Sequence, residues 1–83
     1  MLHVVKVDWL RDYRLRVEFN DDRVKEVDLA EELWGEVFEP LKDPQFFQQA
    51  ALNPETGTVE WPNGADFAPE FLHAKGVDVG RAA

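Results

Sequence analysis

The chain has 83 residues, no cysteine and a formal net charge of −8 at pH 7. This length predicts one small domain, and the lack of cysteine excludes disulfides and thiolate metal sites and fits the reducing cytoplasm. No apolar run approaches the roughly 20 residues that cross a bilayer. The first residues also lack signal-peptide features, so we expect a cytoplasmic protein with no membrane contact.

The negative charge is unevenly distributed along the chain. Residues 1–25 hold six basic and five acidic side chains, whereas residues 26–83 hold three basic and twelve acidic ones. Because an acidic surface repels phosphate backbones, we expect no nucleic-acid binding by this domain alone. The acidity suits a small basic protein as partner, although a merely solvated surface is the commoner role of such charges.

The first third of the chain predicts a three-stranded meander. Apolar and polar residues alternate over residues 5–9 and 13–19, which is typical of antiparallel strands with one buried face. Residues 23–29 predict a third strand, with a bulge where the apolar spacing slips between Val24 and Val27. An exposed edge of this sheet would allow a homodimer, but the pattern does not indicate which strand forms that edge.

The next segment is acidic and carries a tryptophan. Residues 30–35 predict a short helical turn that ends at a glycine. Trp34 is either a core residue or half exposed beside Gly35. Together with the acids around it, this residue predicts a surface for contacts with a partner; the candidate residues are Glu31, Glu32, Trp34 and Glu36.

The second half of the chain predicts two helices and a hairpin. Asp43 followed by a proline predicts a helix start, and two phenylalanines follow at helical spacing. Residues 51–53 and 58–61 predict a hairpin. A last helix begins after Ala68 and stops at Gly76. Residues 76–83 show no structural pattern, so we expect a domain over residues 1–75 and a tail over 76–83.

Residues 58–67 predict a strand that ends in a rigid corner. Pro, Asn and Gly follow the strand in succession and favour a turn, each through its own backbone preference. Trp61, Asn63 and Asp66 are candidate binding residues for a small molecule or an anion at this corner, aided by a neighbouring arginine. The alternative is that Trp61 anchors the core and the other two only build the turn.

The predicted fold class is α+β. We expect a five-stranded, mainly antiparallel sheet, made of the meander and the hairpin, with two short helices on one face. The predicted core consists of apolar residues from all of these elements: Val5, Val7, Leu15, Val17, Phe19, Leu41, Phe46, Phe47, Val59 and Trp61.

Recognisable catalytic chemistry is absent from the sequence. It contains no serine, no cysteine, no glycine-rich nucleotide-binding motif and no His-Glu metal motif. Paired acids would need a cleft and shifted pKa values to act as catalysts. We therefore expect no enzyme activity, no catalytic residue, no metal and no cofactor.

Three stretches resemble a known family. The end of the meander at residues 27–29, residues 37–47, and above all Gly57–Leu72 with its Trp-Pro-Asn-Gly-x-Asp run are similar to the bacterial domain-of-unknown-function family 2442. The resemblance covers Val5 to about Leu72. Members usually have a small hydroxyl residue at the position of Ala68, which should weaken the cap of the last helix here by about 1 kcal/mol.

The resemblance implies a small α+β domain with an antiparallel sheet and no established activity. Relatives look like partners of another small protein in gene pairs that resemble toxin–antitoxin systems. Some carry a helix-turn-helix domain after this one; the chain ends before such a domain, so we do not expect its DNA binding to carry over. The leading hypothesis is therefore a non-catalytic protein-interaction module, antitoxin-like or the accessory half of a two-protein system.

Overall fold

The computed structural model describes residues 1–82 and consists of two antiparallel sheets with short helices. The four-stranded sheet has the order β1-β2-β3-β7, and the three-stranded sheet has the order β4-β5-β6. The strands are β1 (Val4–Arg11), β2 (Arg14–Phe19), β3 (Arg23–Asp28), β4 (Ala51–Asn53), β5 (Thr58–Glu60), β6 (Asp66–Phe67) and β7 (Val77–Arg81). The helices are α1 (Pro44–Phe47) and α2 (Pro69–Lys75), with 3₁₀ helices at Ala30–Glu32 and Glu39–Lys42.

The predicted α+β class is confirmed, but the prediction of one five-stranded sheet is wrong. The β4–β5 hairpin pairs through β5 with the two-residue strand β6, and these three strands form a separate sheet. It lies beside β1, where the backbone N–H of Val4 donates to the carbonyl of Gly57 at 2.7 Å. The hairpin and β1 do not pair as a ladder, so the core lies between two separate sheets and the helices.

The expectation of an unstructured tail from residue 76 is also corrected. Residues 77–81 form β7, which pairs antiparallel with β3 at the edge of the larger sheet. Asp78 lies 3.3 Å from Arg23 and 3.7 Å from Lys25, so ion pairs support this pairing. All five residues of β7 are exposed. Val77 and Val79 alternate with Asp78 and Gly80, but the run is short, contains a glycine and buries neither valine. The sequence pattern therefore did not predict this strand.

The core follows the alternation of β2, with one local shift in β1. Leu15, Val17 and Phe19 are fully buried, and both helices add a buried side chain to the same cluster. The expectation that Val5 is a core residue is wrong, since it is 44% exposed while Val4 is buried. The pairing of β1 with β2 is irregular between Val4 and Lys6, and such a bulge reverses which side chains face the core.

The first helix begins as its sequence predicts. The Asp43 side chain accepts a hydrogen bond from the backbone N–H of Gln45 at 3.0 Å, and Pro44 occupies the first turn, where its missing N–H is not needed. The second helix also has a proline in its first turn, but Ala68 provides no side-chain cap. Within residues 1–82, no helix is long and apolar enough to cross a membrane.

Candidate functional site

Trp61 joins β5 to the first helix inside the core. Its side chain is 1% exposed, and its indole Nε1–H donates to the carbonyl of Phe47 at 2.9 Å. Its ring centroid lies 5.5 Å from that of Phe47 and 5.9 Å from that of Phe67. The ring is thus enclosed by aromatic neighbours, and it positions the turn that follows β5.

Asn63 connects this turn to a distant loop. Its Oδ1 accepts from the backbone N–H of Ala65 at 3.2 Å, which closes the turn. Its Nδ2 donates to the carbonyl of Val37 at 2.9 Å, across 26 positions of sequence. Gly64 has a φ of +87°, a conformation that glycine adopts without strain. Because both ends of the Asn63 amide are engaged, the corner residue holds a second loop in place.

That second loop, residues 34–38, presents two exposed apolar side chains. The carbonyl of Gly35 accepts from the N–H groups of Phe38 and Glu39 at 3.1 and 3.0 Å, which folds the loop into a tight turn. Trp34 is 72% exposed and Val37 is 48% exposed. A loop fixed by its own hydrogen bonds and by Asn63 thus presents an indole ring to solvent.

A stack of three aromatic rings runs on from this loop; we call Phe38, Phe67 and Phe71 the aromatic stack. The ring centroids of Phe38 and Phe67 are 4.8 Å apart, and those of Phe67 and Phe71 are 5.4 Å apart, both in stacked geometry. Phe71 is 38% exposed. Asp66 is exposed and precedes the central ring of the stack. The structure therefore joins the corner, the loop and the second helix in one region.

The acidic candidates differ in their surroundings. Glu32 lies 3.5 Å from Lys75 in an ion pair that ties the first 3₁₀ helix to α2. Glu31, Glu36 and Asp66 are exposed and form no ion pair with any residue between positions 1 and 82. None of the hydrogen bonds or ion pairs in that part of the chain brings an arginine to Asn63 or Asp66, so the geometry does not favour an anion at the corner. The site residues themselves stay a prediction.

The arginines lie elsewhere, on the open face of the larger sheet. Arg14 lies 3.3 Å from both Glu26 and Asp28, and Arg16 lies 2.9 Å from Glu18. The Arg14 contacts cross from β2 to β3, as cross-strand pairing of opposite charges favours, whereas Arg16 and Glu18 both lie on β2.

One contact between side chains was not expected from the sequence. His73 Nε2 on α2 lies 2.8 Å from Asp21 Oδ2 in the turn between β2 and β3. The hydrogen bond from the backbone N–H of Arg23 lowers the pKa of Asp21 below its ordinary value of 3.8, and His73 lowers it further. The two residues are 52 positions apart, so no local pattern indicates the pair. It fastens the second helix to the meander.

Metal binding has no evident basis in this arrangement. Across the described residues 1–82, no three His, Cys, Asp or Glu side chains come together in a group that could hold a metal ion.

The fold and this surface define a small α+β domain with two antiparallel sheets and an exposed aromatic region. The chain belongs to the family described as "Protein of unknown function (DUF2442)", whose model matches residues 4–78. The resemblance drawn from the Trp-Pro-Asn-Gly-x-Asp run and its companions is thereby confirmed. No curated protein matched the chain.

A solved structure is similar to this fold. It is named "Putative DNA Binding Protein NE0471 from Nitrosomonas europaea ATCC 19718", with a TM-score of 0.79 and 28% sequence identity. The match covers 90% of this chain and 48% of that chain. The present chain therefore spans about half the length of the Nitrosomonas europaea protein.

This similarity contradicts the partner expectation drawn from the charge, which excluded nucleic acid for this domain. Net charge is a property of the whole chain, whereas contact with DNA depends on where individual basic groups lie. The small basic partner and the sheet-edge homodimer were part of the same expectation, and neither the fold nor the similarities support them.

Proposed function

We propose that this domain is a non-catalytic protein-interaction module, and that it forms the accessory, antitoxin-like half of a two-protein system that binds DNA. The observation that carries this proposal is the exposure of Trp34, at 72%, on a loop held by the Asn63–Val37 hydrogen bond. Tryptophan is costly to leave in water, and it is enriched among residues that dominate binding energy at protein interfaces.

The surroundings of Trp34 support the same function. Val37 on the loop and Phe71 at the end of the aromatic stack are also exposed. Neighbouring apolar groups rimmed by charged ones are typical of protein-binding surfaces. Glu31 and Glu36 supply such a rim on the loop side. Because the loop is fixed before binding, little conformational entropy is lost when a partner covers it.

The DNA-related part of the proposal rests on the Nitrosomonas europaea protein. That chain is about twice as long as the matched region, so its DNA binding can involve the matched half, the other half or both. The experiment below measures whether this domain itself contacts DNA and how much it contributes.

The chemistry of the chain supports a non-catalytic role. With no serine and no cysteine, its hydroxyl groups belong to two threonines and one tyrosine. Among the titratable groups of the described residues, a clearly shifted pKa belongs to Asp21, which lies in an exposed turn. Catalytic acids are usually shifted by burial in a cleft instead. The cysteine-free composition is typical of the cytoplasm, where we place the protein.

The proposal is tested by affinity purification of the tagged chain from its native cells. Trp34→Ala removes the exposed indole of the 34–38 loop. Trp9→Ala is the matched control, because Trp9 is an exposed tryptophan on β1 of the four-stranded sheet. We expect one protein to co-purify in stoichiometric amount with the wild type and with Trp9→Ala. It should be lost, or bound at least about tenfold more weakly, with Trp34→Ala.

The purified complex is then mixed with labelled DNA fragments from its own gene region. A shift by the complex supports the DNA-binding assembly, and the same assay on the isolated chain measures what this domain contributes. If no other protein co-purifies with the chain in stoichiometric amount, the proposal of an interaction module is wrong. Equal recovery with Trp34→Ala would contradict the assignment of the surface.

A further inference from the structure

A cavity of about 180 Å³ lies on the smaller sheet, beside the β4–β5 hairpin and just after the first helix. It is lined by residues of the helix–strand connection, of both strands and of the two positions that follow β5: Gln49, Ala51, Leu52, Asn53, Glu60, Trp61 and Pro62. Trp61 is otherwise enclosed in the core, so it adds little surface to the cavity. The volume suits a small functional group.

The charge of this cavity comes from a single carboxylate. Glu60 is the charged residue of its lining, and it forms no ion pair with any basic residue among those the structure describes. Its Oε1 accepts from Asn53 Nδ2 at 3.3 Å, which is long for a hydrogen bond to a charged group. Asn53 is itself fixed, since its Oδ1 accepts from the backbone N–H of Glu55 at 2.9 Å. The carboxylate is therefore oriented by Asn53, and no basic side chain among the described residues neutralises it.

The remaining lining combines one free amide with apolar walls. The Gln49 side chain is exposed and, in the described part of the chain, makes no side-chain hydrogen bond. Ala51, Leu52 and Pro62 contribute apolar surface. A negative charge without a basic neighbour disfavours anions, whereas a cation with several N–H donors and a flat apolar face satisfies every part of this lining.

We propose that this cavity binds a guanidinium group. The planar fork of N–H donors matches the Glu60 carboxylate, and a further N–H can reach the Gln49 carbonyl oxygen. The weakly hydrated face of the group packs on the apolar walls. An ammonium ion has the same charge but lacks the fork, so it binds more weakly. The group comes either from an arginine side chain of another protein or from a small free guanidine.

The inference stands apart from the proposed function, because none of the seven lining residues belongs to the 34–38 loop or the aromatic stack. Trp61 packs against Phe67 of that stack but is not exposed there. The test is a titration of the ¹⁵N-labelled full-length chain at low ionic strength, followed through backbone amide chemical shifts. The probes are N-propylguanidine, as a free guanidine, and N-acetyl-arginine-N-methylamide, as the side chain within a peptide; both carry a single positive charge. N-acetyl-lysine-N-methylamide is the ammonium control.

We expect saturable shifts at residues 49–53 and 59–61 with both guanidinium probes. Glu60→Gln keeps the shape of the side chain and should weaken binding about tenfold or more, because it removes the charge from the hydrogen bond. Glu55→Gln is the matched control, since Glu55 lies in the adjacent exposed turn outside the cavity. This variant should leave the affinity unchanged. Spectral dispersion shows that each variant is folded.

Tighter binding of the arginine derivative than of N-propylguanidine assigns the site to an arginine of a protein, and the reverse order assigns it to a free guanidine. The proposal is overturned if neither probe gives saturable shifts, if Glu60→Gln binds like the wild type, or if the lysine derivative binds as tightly as the arginine derivative.

Discussion

Replacing Trp61 with phenylalanine should destabilise the domain substantially. The indole is 1% exposed and donates to the carbonyl of Phe47. Because that carbonyl also accepts from the N–H of Ala50 at 3.2 Å, the variant loses one buried hydrogen bond, at about 0.5–1.5 kcal/mol, without leaving the acceptor unpaired. The smaller ring also removes buried surface worth one or two methylene groups, at about 0.8 kcal/mol each.

The two losses together predict a decrease of roughly 1.5–3 kcal/mol in the free energy of unfolding. A chain of 83 residues has a total stability of about 4–12 kcal/mol at ~0.05–0.15 kcal/mol per residue. The variant should therefore lose a large part of its free energy of unfolding, and its Tm should fall by at least about 6 °C.

Urea and thermal unfolding followed by far-UV circular dichroism measure this effect without relying on tryptophan fluorescence, which three residues share. Trp34→Phe is the matched control, since the same substitution at an exposed indole should change stability by less than about 0.5 kcal/mol. If Trp61→Phe is no more destabilising than Trp34→Phe, Trp61 is not the core anchor that its burial indicates.

Two further predictions concern the turns. Because the folded-state pKa of Asp21 is lowered, its contribution to stability is complete above the unfolded value of about 3.8 and is lost as the pH falls through the folded value. Asp21→Asn should therefore reduce the acid sensitivity of unfolding measured in urea at pH 6 and pH 3, and an unchanged pH dependence would contradict this contribution. Gly57→Ala should lower the Tm more than the control Gly35→Ala. Both glycines have positive φ, which costs other residues about 1–2 kcal/mol, but a Cβ at position 57 would lie 2.8 Å from the Cβ of His3 whereas position 35 is open. Equal Tm values would show that His3 moves aside freely.

Local sequence patterns predicted most of the individual elements. The alternation over residues 13–19 appears as β2, with Leu15, Val17 and Phe19 buried. Asp43 caps the first helix, and the hairpin strand Ala51–Asn53 lies where the sequence predicts it. These successes share a cause, since caps, turns and one-sided strands depend on residues within a few positions of one another.

The errors arose where distant residues decide the outcome. The bulge in β1 buries Val4 and exposes Val5, and a one-residue shift of this kind leaves the apolar pattern ambiguous. β7 forms because β3 offers a free edge with Arg23 and Lys25 beside Asp78, and the short run Val77–Arg81 does not reveal that edge by itself. The partner expectation failed because net charge does not reveal local contacts.

For the candidate site, the sequence singled out residues that the fold uses in different ways. Trp61 and Asn63 were chosen for recognition, yet one side chain lies in the core and the other holds the 34–38 loop. Asp66 lies beside that region through the stacking of its neighbour Phe67 on Phe38. The cavity at Glu60 was not expected, because it depends on the gap between the helix–strand connection and the hairpin.

The sequence by itself determined the family, the α+β class, the meander, the capped first helix and the turn chemistry after Trp61. These properties follow from short-range preferences and from a run of residues specific enough to recognise. Only the tertiary structure decided that there are two sheets, that residues 77–81 form an edge strand, and that Trp34 is exposed while Trp61 is enclosed. Each of those outcomes depends on packing between residues far apart in the chain, where many side chains compete for the same buried space.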